Sequence, residues 1–259
     1  MDTTRSRIEQ IRSGGFELDF TETFNDTFEI YKKIAVNAGL LFIIIAIVGT
    51  IVVVGLAGAI VGFAAITESL SGFDPAAAKS PVFIVGYILF ISVLSGFFAP
   101  VTAGIIKMAR QADNNGPFTI GTAFDYYSSP YFKELFLALF LTGLFTSSMS
   151  SLSEVIGLSF IGIIVSVIIA VMTFLTIPLI IFGDLKAMEA IRGSIIIVSK
   201  QPWIILGLLI VTLLASCIGF IALCIGYFFT VPIIYALYYT IYKHAIGITQ
   251  NSEVDQIGL

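Results

Sequence analysis

Residues 34–66 run for 33 positions without a charged side chain, and residues 203–242 run for 40. At a rise of about 1.5 Å per residue these stretches would make helices of about 50 and about 60 Å, against a hydrocarbon core of about 30 Å. The first must tilt, bend or project beyond a bilayer. The second must fold back as a hairpin. A backbone in hydrocarbon has to satisfy its own polar groups, so such runs are read as helices. The rest of the chain agrees. Only 12% of its residues are charged and 58% are hydrophobic, against about 25% charged in soluble domains. A chain this apolar lacks the polar surface to cover itself in water, and the expectation is an all-α polytopic membrane bundle.

Six spans follow from the pattern. After 34–66 comes 81–106, with Ser80 as N-cap and Pro81 in the first turn, where its missing N–H costs nothing. The third is 132–149, with Lys133 and Glu134 at its start. The fourth, 155–182, is introduced by Ser151-Leu152-Ser153-Glu154, which has the spacing of a capping box. The fifth and sixth divide 203–242, with the reversal placed at 217–226, where Gly219 and Gly226 allow it. The first run follows an acidic segment and far exceeds a signal peptide's apolar core of about 7–15 residues. It is read as a retained span.

The cations test this count. Of the 13 lysines and arginines, Lys79 alone falls on one side of the six-span arrangement. By the positive-inside rule the other side is cytoplasmic, with both termini. An odd number of spans would destroy this asymmetry. Tyr131, Trp203, Tyr239 and Tyr242 fall near the inner boundary, where amphipathic rings anchor a membrane protein.

An amphipathic stretch precedes each odd span. In 19–33, an Asp19-x-x-Glu22 start is followed by Phe20, Phe24, Phe28 and Tyr31 at helical spacing. In 118–129 the face is Ile120, Phe124 and Tyr127. In 184–200 it is Leu185, Met188, Ile191, Ile195 and Val198. Such helices either lie in the interface or pack on the ends of the bundle. Each even span carries a proline, Pro100, Pro178 or Pro232, which should break or kink the helix by freeing a carbonyl. Together these features suggest three approximate repeats, 16–110, 111–183 and 184–247. They form three hairpins with cytoplasmic amphipathic helices, between a flexible terminus (1–15) and a tail (248–259).

One stretch carries a resemblance. Asp184-Leu185-Lys186-Ala187-Met188-Glu189-Ala190-Ile191-Arg192-Gly193-Ser194 is followed by Gln201-Pro202-Trp203 and an apolar hairpin containing Thr230-Val231-Pro232. Tyrosines then recur from Tyr238 to His244. This order resembles the bacterial glycerophosphodiester phosphodiesterase membrane-domain-like family, over most of residues 15–247. The resemblance implies a six-helix protein of the bacterial inner membrane with no catalytic residues to carry over. The soluble phosphodiesterase domain has no counterpart here.

The residues themselves offer little reactive chemistry. Ser159 and the single histidine, His244, would form a protease-like pair only if both lay at one membrane face. The six-span reading puts them at opposite ends, about 30 Å apart. No Asp or Glu lies within a span, so paired-carboxylate chemistry lacks its groups. Glu154 and Asp184 are read as helix caps. One histidine and the cysteines Cys217 and Cys224 make no metal or cofactor motif, and the cysteines are read as core residues. No basic run points to nucleic acid. The expected function is an accessory or scaffold without catalysis. Its partners would be membrane lipids or a membrane protein, met through Lys32, Lys33, Lys107, Arg110, Arg192 and Lys200. The alternative is a small-solute transporter or channel component using the proline-broken helices, with Asn37, Thr102, Thr142, Thr173, Thr212 and Thr230 along a path.

Overall fold

A computed structural model describes residues 3–61, 80–221 and 225–247. It contains six helical stretches long and apolar enough to cross a membrane, so the chain is a multi-pass membrane protein. In chain order the elements are α1 (Thr3–Gly14), α2 (Phe20–Val61), α3 (Pro81–Asp113), a 3-10 helix (Ile120–Tyr127), α4 (Phe132–Val155) and α5 (Ser159–Thr173). They continue with α6 (Thr176–Ile181), α7 (Ala187–Lys200), α8 (Pro202–Ile221), α9 (Ile225–Thr230) and α10 (Pro232–Ile246). The fourth span is α5 with α6, and the sixth is α9 with α10. The expected loop containing Lys79, the tail after Gly247 and Cys224 lie outside the described residues.

The 42-residue α2 is about 63 Å long, so its excess length projects beyond a bilayer. The amphipathic stretch 19–33 is simply the first part of this helix. Asp19 caps it by accepting from the Glu22 amide at 2.7 Å. Ser80 caps α3 through the Phe83 amide. The spans form an incomplete ring. α3 packs along α4, α4 along α5, and α10 closes the chain by packing on α2 and α3. The α5 and α8 helices barely meet, so a seam opens there.

Several expectations are corrected. The terminus read as flexible carries α1, whose Ile11 is fully buried; Arg5 reaches Glu189, and Arg7 donates to the Ala245 carbonyl at 3.1 Å. Residues 151–154 do not cap the fourth span. They are the last turns of α4, which needs them to reach 24 residues, and Gly157 (φ 75°) makes the turn into α5. Asp184 caps nothing either. It sits in the left-handed region (φ 51°), and Glu134 instead accepts from the Ala187 amide that opens α7. Gly219 lies within the helix ending at Ile221 and Gly226 within the one starting at Ile225, on either side of the middle of the expected 217–226 reversal, whose residues 222–224 lie outside the described residues. The two glycines let α8 and α9 touch: a Cβ on Gly219 would lie 2.6 Å from the Gly226 carbonyl oxygen. Of the expected ring anchors, Trp203 is 82% exposed, while Tyr131, Tyr239 and Tyr242 are buried. Cys217 faces outward as a free thiol.

The apolar stripes of the amphipathic segments, for which the sequence leaves interface and bundle both open, divide between the two: Leu185 and Val198, for example, are buried. In this part of α2 the buried positions are Thr23, Thr27, Ile30 and Ile34, while Phe24 and Tyr31 are half-buried against the core and Phe28, in ring contact with both, is exposed. In α7 the buried face is Ala187, Ala190, Gly193, Ser194, Ile197 and Val198, with Met188 and Ile195 exposed. Residues 120–127 wind as a 3-10 helix, whose period of three aligns Ala123 with Tyr126 and leaves Phe124 exposed. All three segments pack on the bundle and also present large apolar groups outward.

Candidate functional site

The described cations, together with α1, the start of α2, the 3-10 helix and α7, gather at one end of the bundle. Its polar groups are mostly tied to one another. Lys107 has 4% of its side chain exposed and reaches Asp125 of the 3-10 helix at 2.8 Å. Its ammonium also lies 6.0 Å from the centre of the Tyr126 ring. Burial pushes the Tyr126 hydroxyl well above the usual tyrosine range, so it stays neutral. Arg110 is buried with its guanidinium 5.0 Å from the centre of the Phe182 ring. Lys33 donates to the Ala112 carbonyl at 3.0 Å and to Asn115 Oδ1 at 2.9 Å, closing the C-terminus of α3. Lys32 pairs with Glu29 on the surface.

A second cluster ties the last span to the first two. Asp113 accepts from the Tyr239 hydroxyl and the Lys243 ammonium, each at 2.8 Å. Asp26 lies 3.1 Å from His244 Nε2. His244 Nδ1 is 3.4 Å from the Thr23 hydroxyl, so Thr23, His244 and Asp26 stand in the order of a nucleophile, base and orienting carboxylate. The threonine cannot serve as the nucleophile. It is fully buried, and its hydroxyl donates to the Asp19 carbonyl at 2.6 Å. Ser159 opens α5 at the far end of the bundle from His244. Among the described residues no three of His, Cys, Asp and Glu gather to hold a metal ion.

The prolines sit in two kinds of helix. α3 runs through Pro100 without interruption. The fourth span is interrupted at Phe174 and Leu175, four and three residues before Pro178, and the sixth at Val231, just before Pro232. At the first interruption a side chain from another helix takes up freed backbone groups. Ser194 of α7, fully buried, accepts from the Leu175 amide at 3.2 Å and donates to the Met172 carbonyl at 2.7 Å. Thr230 donates to the Ser216 carbonyl of α8 at 2.6 Å. Thr142, Thr173 and Thr212 donate to carbonyls in their own helices. No sequence signal singled out Ser194, because only the fold brings α7 against the interruption.

Arg192 and Lys200 differ from the other candidate cations. Both are exposed on α7, and neither makes an ion pair or side-chain hydrogen bond among the described residues. Nearby Glu189 does pair, at 3.0 Å with Arg5, and this bond holds its carboxyl below the usual range. The Arg5–Glu189 tether is therefore in place at neutral pH and is lost as pH falls through that lowered value.

Comparison with family models, curated proteins and solved structures finds no match to the chain.

Proposed function

We propose that the protein is a membrane accessory or scaffold without catalysis, acting through the layer of helices at its charged end. The observation that carries this is a division of labour among the charges. Lys33, Lys107 and Lys243 are bonded to the bundle itself, and Arg110 is packed inside it, whereas Arg192 and Lys200 stand free on α7 beside outward-facing apolar side chains. Anionic headgroups or an acidic partner segment are the natural ligands for two such cations at a membrane surface. The positive-inside rule puts this end in the cytoplasm with both termini. The resemblance to the glycerophosphodiester phosphodiesterase membrane-domain-like family supports the same reading and favours a bacterial inner membrane.

The transporter alternative requires polar groups turned toward a path. At the interruptions nearest Pro178 and Pro232, Ser194 and Thr230 spend their hydroxyls on backbone carbonyls. The test is reconstitution of the full chain into proteoliposomes with sugars, amino acids and inorganic ions as trial solutes. No saturable flux is expected, from the parent or from Pro178→Ala and Pro232→Ala. Saturable flux that either substitution abolishes would establish transport instead.

A further inference from the structure

Two apolar grooves flank α5, one on each side. One lies between α4, α5 and α7. It encloses about 410 Å³ and is lined by residues that include Thr142, Phe145, Met172, Met188, Ile191 and Ile195. The other is the seam between α5 and α8. It encloses about 370 Å³, with Val167, Met172, Pro202, Trp203 and Leu206 in its walls. Both volumes fall within the range of ligand pockets, about 300–1,000 Å³. The polar residues of the first groove do not change its character, because Thr142 and Thr173 donate to Ala138 and Ile169 of their own helices.

Each groove ends at α7 or at the residue pair that follows it, and each has one free cation there. Arg192 lies one helical turn from both Met188 and Ile195, so it borders the stripe that forms the floor of the first groove. Lys200 closes α7 two residues before Pro202, which with Trp203 walls the second. The two cations are eight residues apart, about 12 Å along the helix. Trp203 is 82% exposed, and an indole at a groove mouth beside a cation suits the headgroup region.

We infer that these grooves seat anionic phospholipids, with acyl chains lying along α5 and phosphates held by Arg192 and Lys200. The inference rests on the proposed lipid-facing role of α7 and gives it a ligand class and an address. Charge complementarity selects the lipid: a zwitterionic headgroup would fill the same groove but gain little from the two cations. The apolar length of each groove selects a lipid over a free phosphate, which would have no use for it.

The test is native mass spectrometry of the full chain, delipidated in detergent and titrated with phosphatidylglycerol or phosphatidylcholine of matched acyl chains. Phosphatidylglycerol should bind about 5-fold more tightly, the gain expected for a cation near the headgroups. Arg192→Gln and Lys200→Gln should each reduce that preference, and the double variant should remove it. Arg192→Lys should retain it, as should Lys32→Gln, since Lys32 already pairs with Glu29. Thr142→Phe, which fills the first groove without altering charge, should weaken both lipids. Glycerol phosphate should not compete. Equal binding of the two lipids, an unchanged preference in the double variant, or full competition by glycerol phosphate would each overturn the inference. Any of these would leave the non-transporting scaffold standing, because that reading fails on solute flux and not on lipid preference.

Discussion

Asp125→Ala is expected to destabilise the protein by about 2–4 kcal/mol, measured as unfolding of the purified chain in detergent. Removing one member of a buried ion pair costs about 3–5 kcal/mol, because the partner is left charged and unpaired. Lys107 is that partner. Its side chain is 4% exposed, and the Asp125 carboxylate is its ion-pair partner at 2.8 Å. The expected loss lies toward the lower part of the range because the Asp125 side chain is 37% exposed, so water reaches the site from that side. The reverse change, Lys107→Met, should cost less. It leaves the carboxylate on the wetter side and puts an apolar chain in the buried position. A double variant, Lys107→Met with Asp125→Ala, should recover much of the loss. If Asp125→Ala costs under about 1 kcal/mol, the pair is a surface contact and does not dock the 3-10 helix.

The second large effect concerns the same joint. Gly104→Ala should cost about 3 kcal/mol, the upper end of the usual range for overpacking. A Cβ at Gly104 would lie 2.5 Å from the carbonyl carbon of Ala123, and its other nearest contacts are also backbone atoms of Ala123. A flexible side chain could swing aside, but a backbone segment has to move as a body. The 3-10 helix should therefore lift from α3, and limited proteolysis between residues 114 and 131 should accelerate. Gly49→Ala and Gly86→Ala are the controls. Both glycines lie within helices where an added Cβ meets nothing within 4 Å, so alanine should be neutral or stabilise by up to about 1 kcal/mol. Equal behaviour of all three variants would mean that the close approach at Gly104 is not structural.

The six spans could be read from the sequence because a bilayer sets a length that charge-free runs either meet or exceed. The lysines and arginines add an expected orientation, which labelling has to test. Which face of each helix packs inward was not legible. The sequence reading left open whether the large apolar stripes face the interface or the bundle. Lipid is as apolar as leucine, so large apolar groups gain little by turning inward, and close packing goes to small and hydroxyl-bearing residues. Thr23 and Thr27 are therefore inside while Phe28 is outside, and Ala190 and Ser194 are inside while Met188 is outside. The same preference for small residues at contacts explains Gly219, which lets α8 approach α9.

The candidate site was legible as a list of cations and no further. Lys107 and Arg192 look alike in sequence, each beside apolar neighbours. Only the fold distinguishes them, by bringing Asp125 to one and leaving the other on an exposed helix beside a groove. Ser194 was missed for a related reason. Its role depends on an interruption some 20 residues earlier in the chain, near Pro178, and no local pattern connects the two.

The central claim is that six spans place the charged end in the cytoplasm. Cysteine labelling in intact cells tests it most directly. With Cys217 and Cys224 replaced by serine, single cysteines are introduced as Ile156→Cys, at the 60%-exposed turn between α4 and α5, and Asn115→Cys, after α3 at the charged end. A membrane-impermeant maleimide should label position 156 in intact cells and position 115 only after permeabilisation. Labelling of 115 but not 156 in intact cells would invert the arrangement, and labelling of both would refute the six-span count.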